Sequence, residues 1–314
     1  MTPIERITLA AQLAVILEVS AYPKPGNISR LKPFQDTQLD HFLAGGIAIG
    51  PAIRKAALQG LKIGKRPANL EDAKLGFHIK SCIKNSRAWH GGGNTNFGTV
   101  MLLVPMATAA GLLEASGTLT PKMLGKTVKE LVEASTVEDA QAFYEAVTLA
   151  GVGGLGKPPK GFPDASNPKA SSLVAKQKLT LFQVLKACAA NDLLCRELTQ
   201  GLPITVCQGF PTLLEAYRKT GEVNKAIIQT YLQILSKYPD TLIARKSGLK
   251  DALKVSKLAG KVLKLGGVYT AEGWKALHEM ERSLQTPDNR FNPGAIADLT
   301  AAAVMLFLLM GYRP

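Results

Sequence analysis

The sequence predicts an all-α fold: one large multi-helix globular domain over residues 1–314, with a cleft formed by loops between helices. Three observations carry this. Apolar residues recur at the spacing of one helical face in segment after segment, alternation of period two is nowhere sustained, and Pro and Gly collect between the periodic stretches. Such a chain buries its helices against one another.

In chain order, the helical period runs from Ile4 to Val19, Leu39 to Leu58 and Leu70 to Ile83. It returns from Val100 to Leu113, where Pro105 is expected to kink the helix, then from Ala140 to Leu149 and Leu179 to Leu198. Leu213 through Leu235, Leu249 to Leu263, Trp274 to Leu284 and Ile296 to Met310 complete it. The stretch Gly151 to Pro168 is the longest without periodicity and reads as a lid or a linker. No half has an independent composition, and no internal repeat or heptad seam divides the chain.

With 314 residues, 46% of them hydrophobic, the chain can bury a sizeable core. Its 38 Lys and Arg exceed 24 Asp and Glu, giving a net charge of +14 and pointing to an anionic partner. Only 6% of residues are aromatic and no dense basic block occurs, so no nucleic-acid partner is expected. Cys82, Cys188, Cys195 and Cys207 form no CxxC pair and read as buried thiols in a reducing compartment. No secretion signal is apparent. Val100 to Leu113 and Ala301 to Met310 fall short of the ~20 residues of a membrane span, so a cytoplasmic location with no membrane partner is expected. A homo-oligomer is compatible with all of this.

The most informative segment is Asn94-Thr95-Asn96-Phe97-Gly98-Thr99, entered through three glycines. The glycines permit close approach, the amides and hydroxyls supply neutral hydrogen-bonding groups, and a helix start there suits a phosphate; an ordinary capped helix after a flexible loop has the same local pattern. A second segment, Glu18 to Asn27, sets a carboxylate at a helix end before a rigid turn that aims Lys24 between two prolines, with Gly26, Asn27, Arg30 and Asp36 following. That turn also reads as a plain Pro-Gly helix terminator.

Three further segments place charge at helix junctions. Asp192 and Arg196 stand four apart, next to Glu197, and suit either a site or a simple ion pair. Asp240 or Thr241 caps a short helix that carries Arg245 and Lys246. Asp298 falls in the opening turn of the apolar carboxy-terminal helix, where the helix dipole favours it in any case. One shared cleft explains these motifs together. Carboxylates facing one cleft repel unless a cation lies between them, and Mg²⁺ with phosphate oxygens satisfies that requirement.

In order, EVS…PKPGN…R…D, GGNTNFG, DLLCRE…GLP, DTLIARK…G and NPGAIADL resemble the triphosphoribosyl-dephospho-CoA synthase family from about Glu18 to Leu299. The resemblance implies an all-helical pentosyltransferase that moves the 5-triphosphoribosyl group of ATP to the ribose 2′-hydroxyl of dephospho-CoA and releases adenine. It implies ATP as substrate, Mg²⁺, and a ribose- or ribitol-bearing acceptor. On that template Lys24, Gly26, Asn27 and Arg30 belong to the substrate site, with Lys24 and Arg30 on triphosphate oxygens. Asn94 and Thr95 orient phosphate or ribose beside Asn96 and Gly98, and Arg196, Asp240, Thr241, Arg245 and Lys246 complete the binding set. Asp36, Asp192, Glu197 and Asp298 are the catalytic carboxylates, the first three also metal ligands.

Two departures stand out. Family members commonly carry His-Lys where this chain has Asn96-Phe97, which excludes proton transfer at that position, and a Gly-Gly-Ser is replaced by Gly294-Ala295-Ile296. The chain therefore resembles divergent archaeal and one-carbon-metabolism members. For those, transfer to another hydroxyl, such as that of a tetrahydromethanopterin precursor, is the alternative, and a non-catalytic nucleotide-binding regulator is a further one.

Overall fold

The computed structural model describes residues 1–29, 31, 33–66 and 69–314. Sixteen α-helices, joined by short 3-10 and π segments, account for the regular structure, and no β-strand element occurs among the described residues. The first seven are α1 (Pro3–Ser20), α2 (Leu39–Ala48), α3 (Gly50–Lys65), α4 (Leu75–Ala88), α5 (Phe97–Glu114), α6 (Pro121–Glu133) and α7 (Val137–Ala150). After a loop come α8 (Ala170–Lys176), α9 (Leu181–Cys188), α10 (Leu193–Gln200), α11 (Phe210–Thr220) and α12 (Val223–Lys237). The last four are α13 (Thr241–Ser247), α14 (Leu249–Lys264), α15 (Ala271–Ser283) and α16 (Gly294–Leu309).

Two helices lack a polar face and form the centre. Along α5, Val100 to Ala110 are buried without interruption, and α16 is buried from Leu299 to Leu309. The two pack together, α1 and α3 lie against α5, and α1, α11 and α12 lie against α16. Small residues set the closest approach. A Cβ on Gly60 would lie 1.9 Å from the Thr108 carbonyl oxygen, and one on Gly111 would lie 2.0 Å from that of Ala57, so α3 and α5 touch backbone to backbone. Truncating Leu102 or Leu103, both inaccessible, to Ala would cost about 2–5 kcal/mol. By length and composition α5 suffices to cross a membrane, but 83% of it is buried in the fold.

Helix starts follow local chemistry. Thr2, Thr136 and Thr180 form capping boxes with Glu5, Asp139 and Gln183, and Pro3 and Pro121 occupy first turns where no N–H is needed. Gly151, Gly201 and Gly221 end α7, α10 and α11 in the left-handed region.

Several expected boundaries shift. The period from Leu39 to Leu58 covers two helices that break at Ile49, ahead of Gly50-Pro51. Leu179 to Leu198 and Leu213 to Leu235 also each hold two helices, because apolar spacing continues across turns that capping residues and glycines enforce. Leu70 starts a 3-10 turn, with α4 beginning only at Leu75. The helix α6 lies in a stretch without an assigned period, although Leu124, Val128, Leu131 and Val132 form a buried stripe. One helical element, α5, runs on through Pro105, which has no N–H to donate to the Met101 carbonyl. The cysteines are all free, but only Cys82 and Cys195 are buried; Cys188 is half-buried and Cys207 exposed.

Candidate functional site

One large cavity, about 1230 Å³, opens among the helix ends and loops. From the expected set it collects Asn27, Asp36, Asn94, Thr95, Asn96, Gly98, Asp192, Thr241, Arg245, Lys246 and Asp298. Lys24, Gly26, Arg196, Glu197 and Asp240 are not on its wall. Arg30 lies outside the described residues.

The glycine-led segment enters α5 as a clamped loop. Arg87 donates to the Gly92 carbonyl and, at 3.3 Å, to that of Gly93, while the Gly93 N–H donates to the Asp36 carbonyl at 3.2 Å and to Thr37 Oγ1 at 3.2 Å. Asn94 Oδ1 accepts from the Phe97 N–H at 3.3 Å, so Asn94 supplies the cap bond that Asn96 does not make. Asn96 is buried and its Nδ2 donates to the Phe42 carbonyl at 3.4 Å; Phe97 packs on Phe143 with ring centroids 5.6 Å apart. Thr95 Oγ1 meets His90 Nε2 at 3.3 Å. Burial, followed by the Arg87 charge and His41, lowers the pKa of His90.

Asp298 projects from α16 onto the first turn of α5. Its Oδ1 accepts from Thr99 Oγ1 at 2.5 Å, and its Oδ2 sits where a Cβ on Gly98 would be. Burial pushes its pKa up to about 8, and the carboxylates of Glu18, Asp240 and Asp192 push the same way against the Thr99 hydrogen bond. The helix starts at Gly294, so Asp298 stands one turn in, on the face turned toward α5 and the cavity.

Asp192 is the N-cap of α10. Its Oδ1 accepts from the N–H groups of Leu194 at 2.9 Å and Cys195 at 3.0 Å, and its Oδ2 accepts from Arg245 at 2.5 Å. Its ion pair is thus with Arg245 and not with Arg196, because a cap residue lies outside the helical turn that would align it with its i+4 neighbour. Arg245 also donates from Nε to the Gly154 carbonyl at 2.7 Å, tying the 151–169 loop to α13. Tyr144 donates its hydroxyl to the Pro163 carbonyl at 3.2 Å, and Lys157 and Asp164 face the cavity. That loop is a wall of the site.

Asp240, and not Thr241, caps α13. Its Oδ1 accepts from Leu242 and Ile243 at 2.7 and 3.0 Å, while Oδ2 accepts from the Ile296 N–H at 2.9 Å, pinning the start of α16 to that of α13. Burial raises its pKa to about 6 despite these three bonds. Glu197 does a similar task elsewhere. Fully buried, it accepts from the N–H groups of Ile204 and Thr205 at 3.0 and 2.6 Å, at the head of the π segment leading into α11. Its pKa is raised, burial outweighing those bonds.

Lys24 is 2% exposed and its Nζ contacts Glu18 Oε1 at 2.5 Å. Burial raises the Glu18 pKa although Lys24 opposes it. Gly26 has φ +78° and packs its Cα against the Phe291 carbonyl, joining the turn to the approach of α16. Asn224 and Tyr231 hold the same turn through Tyr22 and Pro25.

Asp36, Asp192 and Glu197 therefore do not converge as a metal set: Asp192 is spent on a cap and an arginine, and Glu197 is on two backbone N–H groups off the cavity wall. No group of three or more His, Cys, Asp or Glu is placed to hold a metal among the described residues. Glu18 and Thr99, absent from the expected set, do belong to the site. The signal for Glu18 was a carboxylate at the end of an otherwise apolar helix; Thr99 was legible as a hydroxyl of the glycine-led segment, but its partner, 199 residues away, was not.

The profile of one protein family, ATP:dephospho-CoA triphosphoribosyl transferase (CitG), matches residues 4–314. The chain is 26% identical over 306 residues to a Pseudomonas fluorescens protein bearing the name probable 2-(5''-triphosphoribosyl)-3'-dephosphocoenzyme-A synthase, covering 96% of this chain and 90% of that one. It is 23% identical over 305 residues to the 2-(5''-triphosphoribosyl)-3'-dephosphocoenzyme-A synthase of Klebsiella pneumoniae, with the same coverage of 96% and 90%. A crystal structure from Archaeoglobus fulgidus, provisionally named triphosphoribosyl-dephospho-CoA synthase, superposes with a TM-score of 0.62 at 24% identity, over 86% of this chain and 100% of that one, and so shares the fold. With a family profile that spans nearly every residue and relatives aligned over almost their full lengths, the chain belongs to the ATP:dephospho-CoA triphosphoribosyl transferase family.

Proposed function

We propose that the protein transfers the 5-triphosphoribosyl group of ATP to the ribose 2′-hydroxyl of 3′-dephospho-CoA and releases adenine. The observation that carries this reading is one cavity of about 1230 Å³ that joins carboxylates from α1, α16 and the 33–38 loop to cations from α13 and the 151–169 loop. A reaction at an anomeric carbon needs anionic groups near the developing positive charge and cations on the phosphates.

In this reading the bond from the ribose anomeric carbon to adenine breaks and a bond from that carbon to the acceptor hydroxyl oxygen forms. Asp298, with a pKa of about 8, holds a proton near neutrality and donates it to the departing adenine. Asp36 takes the proton of the incoming hydroxyl. Arg245, Lys246 and Lys157 bind triphosphate oxygens, since several cations match a polyanion best. Asn94 and Thr95 orient the sugar. In this reading Mg²⁺ would enter as an ion carried in on the triphosphate, where it would neutralise phosphate charge, because no cluster of His, Cys, Asp or Glu among the described residues is placed to hold it.

A second reading, as a divergent archaeal or one-carbon-metabolism type of member, has its own observation. Asn96 and Ile296 stand where the resemblance implies His and Ser; here Asn96 is hydrogen-bonded to the Phe42 carbonyl and Ile296 donates its N–H to Asp240. Phe97 adds an aromatic ring to the wall. That surface suits an acceptor with a flat apolar part, such as a pterin-linked ribitol.

The test is chromatography of free adenine after incubation with ATP, Mg²⁺ and either acceptor, each component omitted in turn. Adenine that depends on dephospho-CoA supports the first reading. Adenine only with the pterin-linked ribitol moves the protein to the second, and ATP binding without adenine from either acceptor makes it a nucleotide-binding regulator.

A further inference from the structure

A second basic feature lies outside the cavity just described. On α14, Lys250, Lys254, Lys257, Lys261 and Lys264 follow at intervals of four and three, which sets all five on one face about 21 Å long. All five are exposed. The helix offers a single carboxylate, Asp251, in its first turn. Among the described residues no carboxylate lies within ion-pairing distance of these lysines or of Lys237 at the end of α12. Elsewhere the surface lysines Lys80, Lys126, Lys129, Lys219 and Lys225 do have acidic partners.

The carboxy-terminal half of this stripe borders a groove. Between α12 and α14 a depression of about 410 Å³ is rimmed by Lys237, Lys257, Lys261 and Lys264. A Cβ on Gly260 would meet nothing within 4 Å, so the groove is open where that glycine lies. Ser256 also lines it. Its residue is 5% exposed, and its Oγ is buried with no hydrogen-bond partner. A hydroxyl in mid-helix ordinarily donates back to the i−4 carbonyl or to solvent, and that of Ser256, in the lining of a groove that also carries four lysines, has no such partner.

We infer that the α12–α14 groove is a second anion site, which binds a small oligophosphate through Lys237, Lys257, Lys261 and Lys264, with Ser256 donating its hydroxyl to a phosphate oxygen. The volume suits a compact ligand of two or three linked phosphates, and four cations match its charge. A long nucleic-acid strand would use the full stripe and would have no need of the buried hydroxyl. The groove is separate from the proposed catalytic cavity and shares no lining residue with it.

Calorimetric titration of the full chain with inorganic tripolyphosphate tests this, with wild type, Lys257→Ala/Lys261→Ala, Ser256→Ala and Arg245→Ala compared. The double lysine substitution should abolish one class of site, which Arg245→Ala leaves intact. Ser256→Ala, which changes no charge, should weaken that class about tenfold, the effect of losing one hydrogen bond to a charged group. If the catalytic cavity binds no triphosphate, only the groove class appears and still follows the lysines, so the two readings fail separately. Three results overturn the inference: loss of all binding in Arg245→Ala, groove binding unchanged in Ser256→Ala, or displacement of tripolyphosphate from the groove by a single-stranded oligonucleotide at lower concentration.

Discussion

A Cβ on Gly98 would lie 2.0 Å from Oδ2 of Asp298, so the glycine that opens α5 is the seat of a carboxylate carried by α16. The two central helices meet at the site through this contact and through the Thr99 hydroxyl beside it. Gly98→Ala should therefore cost about 1–3 kcal/mol in thermal denaturation and lower adenine release at least tenfold as Asp298 is displaced. Shortening the carboxylate in Gly98→Ala/Asp298→Ala should restore stability but not turnover. Wild-type stability and rate in Gly98→Ala would remove the contact from the mechanism.

The raised pKa of Asp298 has a pH signature. Its ordinary value is 3.8 and its folded value about 8, so the folded chain favours the protonated form. The stability it contributes is full below about pH 4 and is lost as pH rises through about 8. In melting curves collected across that range, Asp298→Asn should flatten the decline. The same variant should reduce adenine release by about 10²–10⁴-fold. A decline that survives the substitution would assign the titration to another group.

Glu197 is expected to hold structure. Glu197→Ala strips two buried N–H groups of their acceptor and should destabilise the fold by about 2–4 kcal/mol. Glu197→Gln keeps one acceptor oxygen and should recover part of that loss. Adenine release per folded molecule, measured below the melting transition, should stay near wild type in Glu197→Gln; a hundredfold fall with stability retained would return this carboxylate to the chemistry.

Lys24 is sequestered against Glu18. Lys24→Ala leaves a buried carboxylate without its cation and should cost about 3–5 kcal/mol, whereas Lys24→Ala/Glu18→Gln should be milder than the single change. Denaturant midpoints of the single and double variants measure the coupling. If Lys24→Ala instead raised KM for ATP at unchanged stability, Lys24 would be a phosphate ligand.

The helical class was legible because it depends on local spacing: α1 and α16 begin and end within two residues of the periods read for them. The breaks at Ile49, and between Cys188 and Leu193, were not, because apolar spacing runs on where caps and prolines turn the chain. Motif positions carried the same division. Residue type at helix junctions suggested a shared cleft, but only the folded chain sets Asn94, Asp192, Arg245 and Asp298 on one cavity wall.

What each carboxylate touches was decided in three dimensions. Asp192, Asp240 and Glu197 look alike in sequence, each an acid beside a helix, yet one faces the cavity with an arginine, one staples two helix starts and one is spent on backbone N–H groups. Burial raises the pKa of Asp240 and Glu197, and only chain packing creates that burial. The sequence by itself determined helices, apolar faces and the residue types available at the junctions; the tertiary structure decided which of them share a low-dielectric site, because desolvation and Coulomb interaction depend on distance in space and not along the chain.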